Sequence, residues 1–204
     1  MNHSQSHTEE PPKGGFSLFS IPIASFSNFI TEEERVELFK TIKGFKHEPH
    51  DAIIGDGGST HLKGINFLDV KIKKRIQIAI DKYIDECGWA PSQIDEIWTN
   101  IQNTGSILGE HSHPNCVVSG SLYINAKDEI YFHNPNPYIY YTQIKKFTDY
   151  SCEWYKIPVE NCQLIIFPSW LRHGKNNVAN TMDDRVVISF NASPYQAWAA
   201  AKTF

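Results

Sequence analysis

The spacing of apolar positions changes partway along the chain. Between Asp69 and Cys87 they recur three or four residues apart. Ile72, Ile76, Ile80, Tyr83 and Ile84 form one stripe, while Lys71, Lys73, Lys74, Arg75 and Asp81 take the other face. That pattern predicts an amphipathic helix, closed by Gly88. A shorter helix is predicted upstream. Thr31-Glu32-Glu33-Glu34 reads as a capping box, in which the Thr31 hydroxyl and the Glu34 carboxylate satisfy each other's orphan backbone donors. Val36, Phe39 and Ile42 would form its buried face and Gly44 its end. After Pro91 the period falls to two. Short β-branched and aromatic runs lie at about 95–103, 116–125, 129–133, 152–157, 162–167 and 185–191. Asn134-Pro135-Asn136-Pro137 separates two of them.

The flanking segments are weaker. Phe16, Leu18, Ile21 and Ile23 stand among small residues and predict an edge strand interrupted by Pro22. Residues 1–14 mix His, Ser, Glu, Pro and Gly without periodicity and read as a disordered tail. Gly55-Asp56-Gly57-Gly58 opens a stretch running to about Asn66; lacking the Lys-Ser/Thr of a phosphate loop, it reads as a surface loop. Helices followed by many short strands predict a mainly β (α+β) fold. The expected form is a double-stranded β-helix (jelly roll, cupin-like), backed by N-terminal helices at 31–44 and 69–87, within one domain over 15–204.

Composition narrows the function classes. A chain of 204 residues suits a single domain with a real core. With 19 Lys+Arg against 23 Asp+Glu the net charge is −4, so no electrostatic reason points to nucleic acid or an anionic membrane. No apolar run approaches the ~20 residues of a bilayer span, and the polar start MNHSQSHTEE is unlike a signal peptide. A cytoplasmic protein is the expectation. Cys87, Cys116, Cys152 and Cys162 are far apart, which suits free thiols. The distinctive figure is nine histidines.

Three stretches in the β-rich half concentrate the candidate chemistry: Gly109-Glu110-His111-Ser112-His113-Pro114, Phe167-Pro168-Ser169-Trp170-Leu171-Arg172-His173, and Arg185-Val186-Val187-Ile188-Ser189-Phe190-Asn191. Residues two apart on a strand project from one face, so His111 and His113 can address one point. His173, in its Pro-Ser-Trp-Leu-x-His turn, could complete a face of three ligands, and neutral imidazoles suit iron, zinc, copper or nickel. Read singly, each of these histidines is as well explained as a structural residue. His133 reads as a loop histidine that could also touch substrate or replace a ligand. His47, His50 and His61 precede these stretches in a segment that could approach the pocket mouth. Trp98, Trp154 and Trp170 read as core or pocket lining.

Together with Ser119-Gly120-Ser121-Leu122-Tyr123-Ile124-Asn125, these segments resemble the 2-oxoglutarate/Fe(II)-dependent oxygenases, and more narrowly a branch found in marine bacteria and their phages, with prolyl-hydroxylase-like features. The similar stretch runs from about Trp98 to Asn191. The resemblance implies Fe(II), 2-oxoglutarate as cosubstrate and O2. It implies His111 and His173 as the outer members of a His-x-Asp/Glu…His ligand set, with His113 where the carboxylate is expected. Either iron sits among three histidines, or the carboxylate comes from elsewhere, with Glu110 the nearest candidate. Strand alternation turns Glu110 to the opposite face, which favours three histidines. Arg185 matches the residue that grips the distal carboxylate of 2-oxoglutarate, and a planar guanidinium suits that role. Tyr123 matches a tyrosine that donates to the same carboxylate. Ser189 and Asn100 are further cosubstrate-binding candidates.

Three readings follow. The first is a dioxygenase that hydroxylates a small-molecule or peptidyl substrate with release of succinate and CO2; a homodimer is compatible with it. Halogenation is disfavoured, since it needs an empty position where His113 stands. The second is a cupin-like metal protein that does not use 2-oxoglutarate, suggested by Gly105 six residues before His111 and Pro168 five before His173. A cupin's glutamate after His113 is missing, however, as is a glycine at Trp170. The third is a binding module whose metal site has lost its acidic ligand.

Overall fold

The computed structural model describes residues 20–61, 67–141, 143–148 and 151–195. The predicted tail and the strand positions Phe16 and Leu18 lie outside them.

Helix α1 (Glu32–Lys43) begins as the capping box requires: Glu34 N–H donates to Thr31 Oγ1 at 3.2 Å and Thr31 N–H to Glu34 Oε2 at 2.9 Å. Its buried residues are Leu38 and Ile42, with Phe39 packed beside them, whereas Val36 is 37% exposed. Val36 lies two positions from Leu38, about 200° around the helix, so both cannot face the core. Helix α2 (Val70–Cys87) is capped by Asp69 and ends at Gly88, whose φ of 67° is left-handed. Ile72, Ile76, Ile80, Tyr83 and Ile84 are all buried, as the stripe requires. Arg75 departs from the outward face by donating to the Glu34 carboxylate at 2.7 and 2.8 Å, tying α2 to α1.

Eleven strands are described. The main sheet has the order β1-β9-β6-β11-β4-β3 and comprises β1 (Ala24–Phe26), β3 (Gly57–Ser59), β4 (Ser92–Gln102), β6 (Val118–Asn125), β9 (Leu164–Pro168) and β11 (Arg185–Pro194). A second sheet, β10-β7-β8, contains β7 (Asp128–His133), β8 (Trp154–Val159) and β10 (His173–Gly174). A pair of two-residue strands, β2 (Ile53–Ile54) and β5 (Ile107–Leu108), stands apart. The jelly-roll architecture backed by N-terminal helices is what the sequence predicts.

Two of the weaker expectations change. The edge strand starts at Ala24, beyond Pro22, because proline cannot donate to the ladder. The Gly-rich segment is partly sheet, not loop: β3 pairs with β4. A Cβ on Gly57 would stand 2.7 Å from the Ile101 carbonyl, and one on Gly58 2.8 Å from the Glu48 carbonyl. Glycine lets the backbones come that close.

Strand alternation divides the main sheet into two faces. Val186, Ile188 and Phe190 of β11, with Leu122 and Ile124 of β6, pack in one cluster with α1 and α2. Tyr123, Ile165, Phe167 and Val187 turn the other way and join Ile130 and Phe132 of the second sheet. A cavity of about 460 Å³ opens on this second face. Arg185, Val187 and Ser189 of β11 line it, as do Trp98, Asn100 and Gln102 of β4.

Candidate active site

The backbone brings the two histidine segments together directly. His111 N–H donates to the His173 carbonyl and His173 N–H to the His111 carbonyl, each at 2.9 Å. Beside this bridge, His113 N–H donates to the Ser169 carbonyl, in the turn before His173, at 2.9 Å. The two segments are thereby tied together at the cavity wall, and His111, His113 and His173 meet in one cluster. Their ring centres are 4.5–5.1 Å apart, and one ligand nitrogen from each lies within 4.8 Å of the others. His173 is buried, and the other two are partly so.

The ring protons are assigned by their partners. His111 Nδ1 is 2.9 Å from the Gly109 carbonyl and His173 Nδ1 is 2.9 Å from the Leu171 carbonyl. A carbonyl can only accept, so each Nδ1 carries the proton and each Nε2 keeps its lone pair for the cluster. His113 Nε2 stands 3.3 Å from His173 Nε2. The His173 Nε2 lone pair faces it, either accepting the His113 Nε2 proton or, with that proton on Nδ1, standing ready with it to hold a cation between the two rings. Burial also favours the neutral ring. It is the main cause lowering all three pKa values, His113 to about 4 and His173 well below its ordinary value, with charge repulsion from neighbouring imidazoles adding to it. Neutral imidazole is the ligating form. The three histidines fit an Fe(II) site.

Among the described residues the cluster contains no carboxylate. Glu110 turns aside: its Oε1 is 2.7 Å from Arg172 Nε and 3.5 Å from His133 Nδ1. It does not supply the missing acidic ligand. His133 itself packs at a tilt against Trp154, ring centres 4.8 Å apart, outside the cluster.

A second group of polar residues lines the same cavity. The Arg185 guanidinium is 5% exposed and forks onto Asp128, Nε to Oδ2 at 2.7 Å and Nη2 to Oδ1 at 3.3 Å, while Nη1 donates to Gln102 Oε1 at 3.1 Å. Burial would raise the Asp128 carboxyl, but Arg185 and then Lys175 outweigh it and hold it below its ordinary value. Tyr123 is fully buried, with its ring centre 5.9 Å from the guanidinium carbon. Burial raises its pKa far enough to keep the phenol protonated at neutral pH. Asn100 Nδ2 donates to Ser189 Oγ at 3.4 Å. All seven sequence candidates (His111, His113, His173, Arg185, Tyr123, Ser189 and Asn100) therefore line one cavity.

Three residues at this end were not anticipated: Asp128, Lys175 and Gln102. Lys175 lies two beyond His173, the same period that links His111 to His113, so a signal for it was present. Nothing local distinguishes Asp128 or Gln102. Gln102 is the most telling. It is 1% exposed, and among the described residues its Nε2 has no hydrogen-bond partner. Reversing the amide would point that donor at Arg185, so its orientation is set. A buried amide donor beside an arginine calls for an acceptor, and a carboxylate supplies one.

His50 and His61 line the cavity, His61 between Glu96 (2.8 Å) and the Trp98 ring (4.8 Å). His47 instead contacts Thr99 Oγ1 at 2.9 Å. Trp98 is pocket lining, as expected. Trp170 is 53% exposed and so belongs to neither core nor pocket wall.

Residues 96–191 match a family model described as "Putative 2OG-Fe(II) oxygenase". No curated protein matches the chain in sequence. Solved structures of similar fold include the viral collagen prolyl hydroxylase of Paramecium bursaria Chlorella virus-1 in complex with 2-oxoglutarate. That alignment has a TM-score of 0.55 and 11% identity, and covers 85% of this chain and 96% of that one. A Pseudomonas putida prolyl-4-hydroxylase gives a TM-score of 0.57 and 12% identity over 86% of this chain and 94% of that one. HygX from Streptomyces hygroscopicus, with nickel, 2-oxoglutarate and hygromycin B bound, gives 0.56 and 8% over 85% and 82%. At such identities the structural likeness speaks for the fold, while the matched segment spans the histidine cluster and Arg185. The segment that carries the histidine cluster and Arg185 thus matches the putative 2OG-Fe(II) oxygenase family, and the fold around it is one that solved 2-oxoglutarate oxygenases share.

Proposed function

We propose that this chain is a 2-oxoglutarate/Fe(II)-dependent dioxygenase that hydroxylates a small-molecule or peptidyl substrate, with His111, His113 and His173 as its iron ligands. The observation that carries the reading is that three neutral imidazoles and a buried Arg185 line one cavity. Bound Fe(II), 2-oxoglutarate and O2 would supply the oxidising chemistry, one oxygen atom going into succinate as the oxo acid loses CO2 and the other into a substrate C–H bond.

The chain's own residues bind and orient. The Gly109 and Leu171 carbonyls fix the His111 and His173 rings with Nε2 inward. Arg185 has committed three of its five N–H donors to Asp128 and Gln102, so two remain for the distal carboxylate of 2-oxoglutarate. The Gln102 amide offers one more, and the protonated Tyr123 hydroxyl another. Asn100 and Ser189 stand on the same wall, as candidates for further contacts to the cosubstrate. His50, His61 and Trp98 offer the substrate an aromatic and hydrogen-bonding wall. Excluding bulk water there strengthens each of these interactions.

Anaerobic titration of the protein with Fe(II), then 2-oxoglutarate, tests the reading. A weak visible charge-transfer band on adding 2-oxoglutarate, and succinate on admitting oxygen, are the expected results. Metal binding indifferent to 2-oxoglutarate would overturn it in favour of a cupin-like protein.

A further inference from the structure

We infer that Lys175 is a second cation of the site for the cosubstrate's distal carboxylate. The inference rests on the oxygenase reading above.

Lys175 follows Gly174 at the end of β10, and its side chain is 4% exposed. Its ammonium donates to Asp128 Oδ2 at 2.8 Å and to the Glu129 carbonyl at 2.9 Å. A lysine has three donors, so one is left at a residue that lines the cavity. Asp128 does not need this partner. Arg185 already meets both of its oxygens, and that pair alone would be neutral. Adding Lys175 places two buried cations on one carboxylate and leaves the cluster with a charge of +1. The Glu129 carboxylate does not offset it, being engaged by Lys156 at 3.1 Å toward solvent.

An uncompensated buried charge is expensive unless something of opposite sign completes it. The unpartnered Gln102 Nε2, bonded through its oxygen to the same guanidinium, points independently to a missing acceptor. An excess positive charge and a spare amide donor around one cavity end describe a carboxylate site. Arg185 supplies the planar grip, while Lys175 supplies a point charge from the neighbouring sheet. The ligand class is a dicarboxylic 2-oxo acid. A monocarboxylic 2-oxo acid would leave the cluster charged.

The test compares two ligands on the Fe(II)-loaded protein without oxygen, by calorimetry: 2-oxoglutarate, and 2-oxopentanoate, which lacks the distal carboxylate. Lys175→Met is expected to weaken 2-oxoglutarate binding about 10-fold or more, as for loss of a charge-assisted hydrogen bond. Binding of 2-oxopentanoate should stay within about twofold, and Lys175→Arg should recover most of the loss. Lys175→Gln, which can still donate to Asp128, gives the same comparison should the Met variant not fold. Equal weakening of both ligands, or of neither, would overturn the inference while leaving the oxygenase reading intact. Failure of the unaltered protein to bind 2-oxoglutarate would remove both.

Discussion

His111 and His173 are joined through their backbones as well as their rings: each donates its N–H to the other's carbonyl at 2.9 Å, and their ring centres lie 4.5 Å apart. Two residues 62 apart in sequence thus meet in an antiparallel bridge that brings both imidazoles to one point. The spacing of His111 and His173 is therefore set by this backbone bridge before side-chain freedom enters.

Gly174 makes that bridge possible. A Cβ there would stand 2.8 Å from the Gly109 carbonyl and 3.1 Å from Glu110 Cα. Gly174→Ala should push the two segments apart, costing about 1–3 kcal/mol in stability and at least about tenfold in Fe(II) affinity. Thermal melts and metal titration check both. A folded variant with unchanged affinity would count against the bridge as the spacer.

Metal and cosubstrate should bind cooperatively. Three neutral ligands, as proposed, would leave the +2 charge of iron uncompensated by the protein, and dianionic 2-oxoglutarate would supply the neutralisation. Fe(II) is expected to bind more tightly with 2-oxoglutarate present, by about the 5- to 150-fold of ordinary coupling. His113→Asp should bind metal more tightly alone and show a smaller coupling. Paired calorimetric titrations of both proteins decide this.

The buried imidazoles make the metal-free protein sensitive to acid. His113 is depressed from 6.5 to about 4 by burial first and by the neighbouring histidines after it. Between those values the unfolded chain takes up a proton that the folded state refuses. The stability contribution is complete above about pH 6.5 and is lost as pH falls toward about 4. Denaturant unfolding at pH 7.5, 6 and 5 should show this decline, and His113→Phe should make it shallower.

Asp128 joins two buried cations, and nothing else described nearby can replace it. Asp128→Ala should destabilise the protein by about 3–5 kcal/mol, as expected when one partner of a buried ion pair is removed. Urea unfolding at neutral pH measures it. A loss under about 1 kcal/mol would mean that water reaches Arg185 and Lys175 despite their burial.

The sequence by itself determined what depends on near neighbours. The helical stripe of Ile72, Ile76, Ile80, Tyr83 and Ile84, the capping box at Thr31, and the common face of His111 and His113 all follow from local periodicity. The motifs around His173 and Arg185 already suggested an oxygenase. Tertiary structure decided what depends on distant backbone pairing. It turned the glycines at 57 and 58 into an edge strand, set the face on which α1 packs, and sent Glu110 to Arg172 and away from the histidines. It also gathered Gln102, Asp128 and Arg185 from three strands, with Lys175 just past a fourth, into one charged cluster. The reason is range: a hydrophobic period records which way a side chain faces, whereas a buried ion cluster forms only after the sheets pair and the strands choose their neighbours.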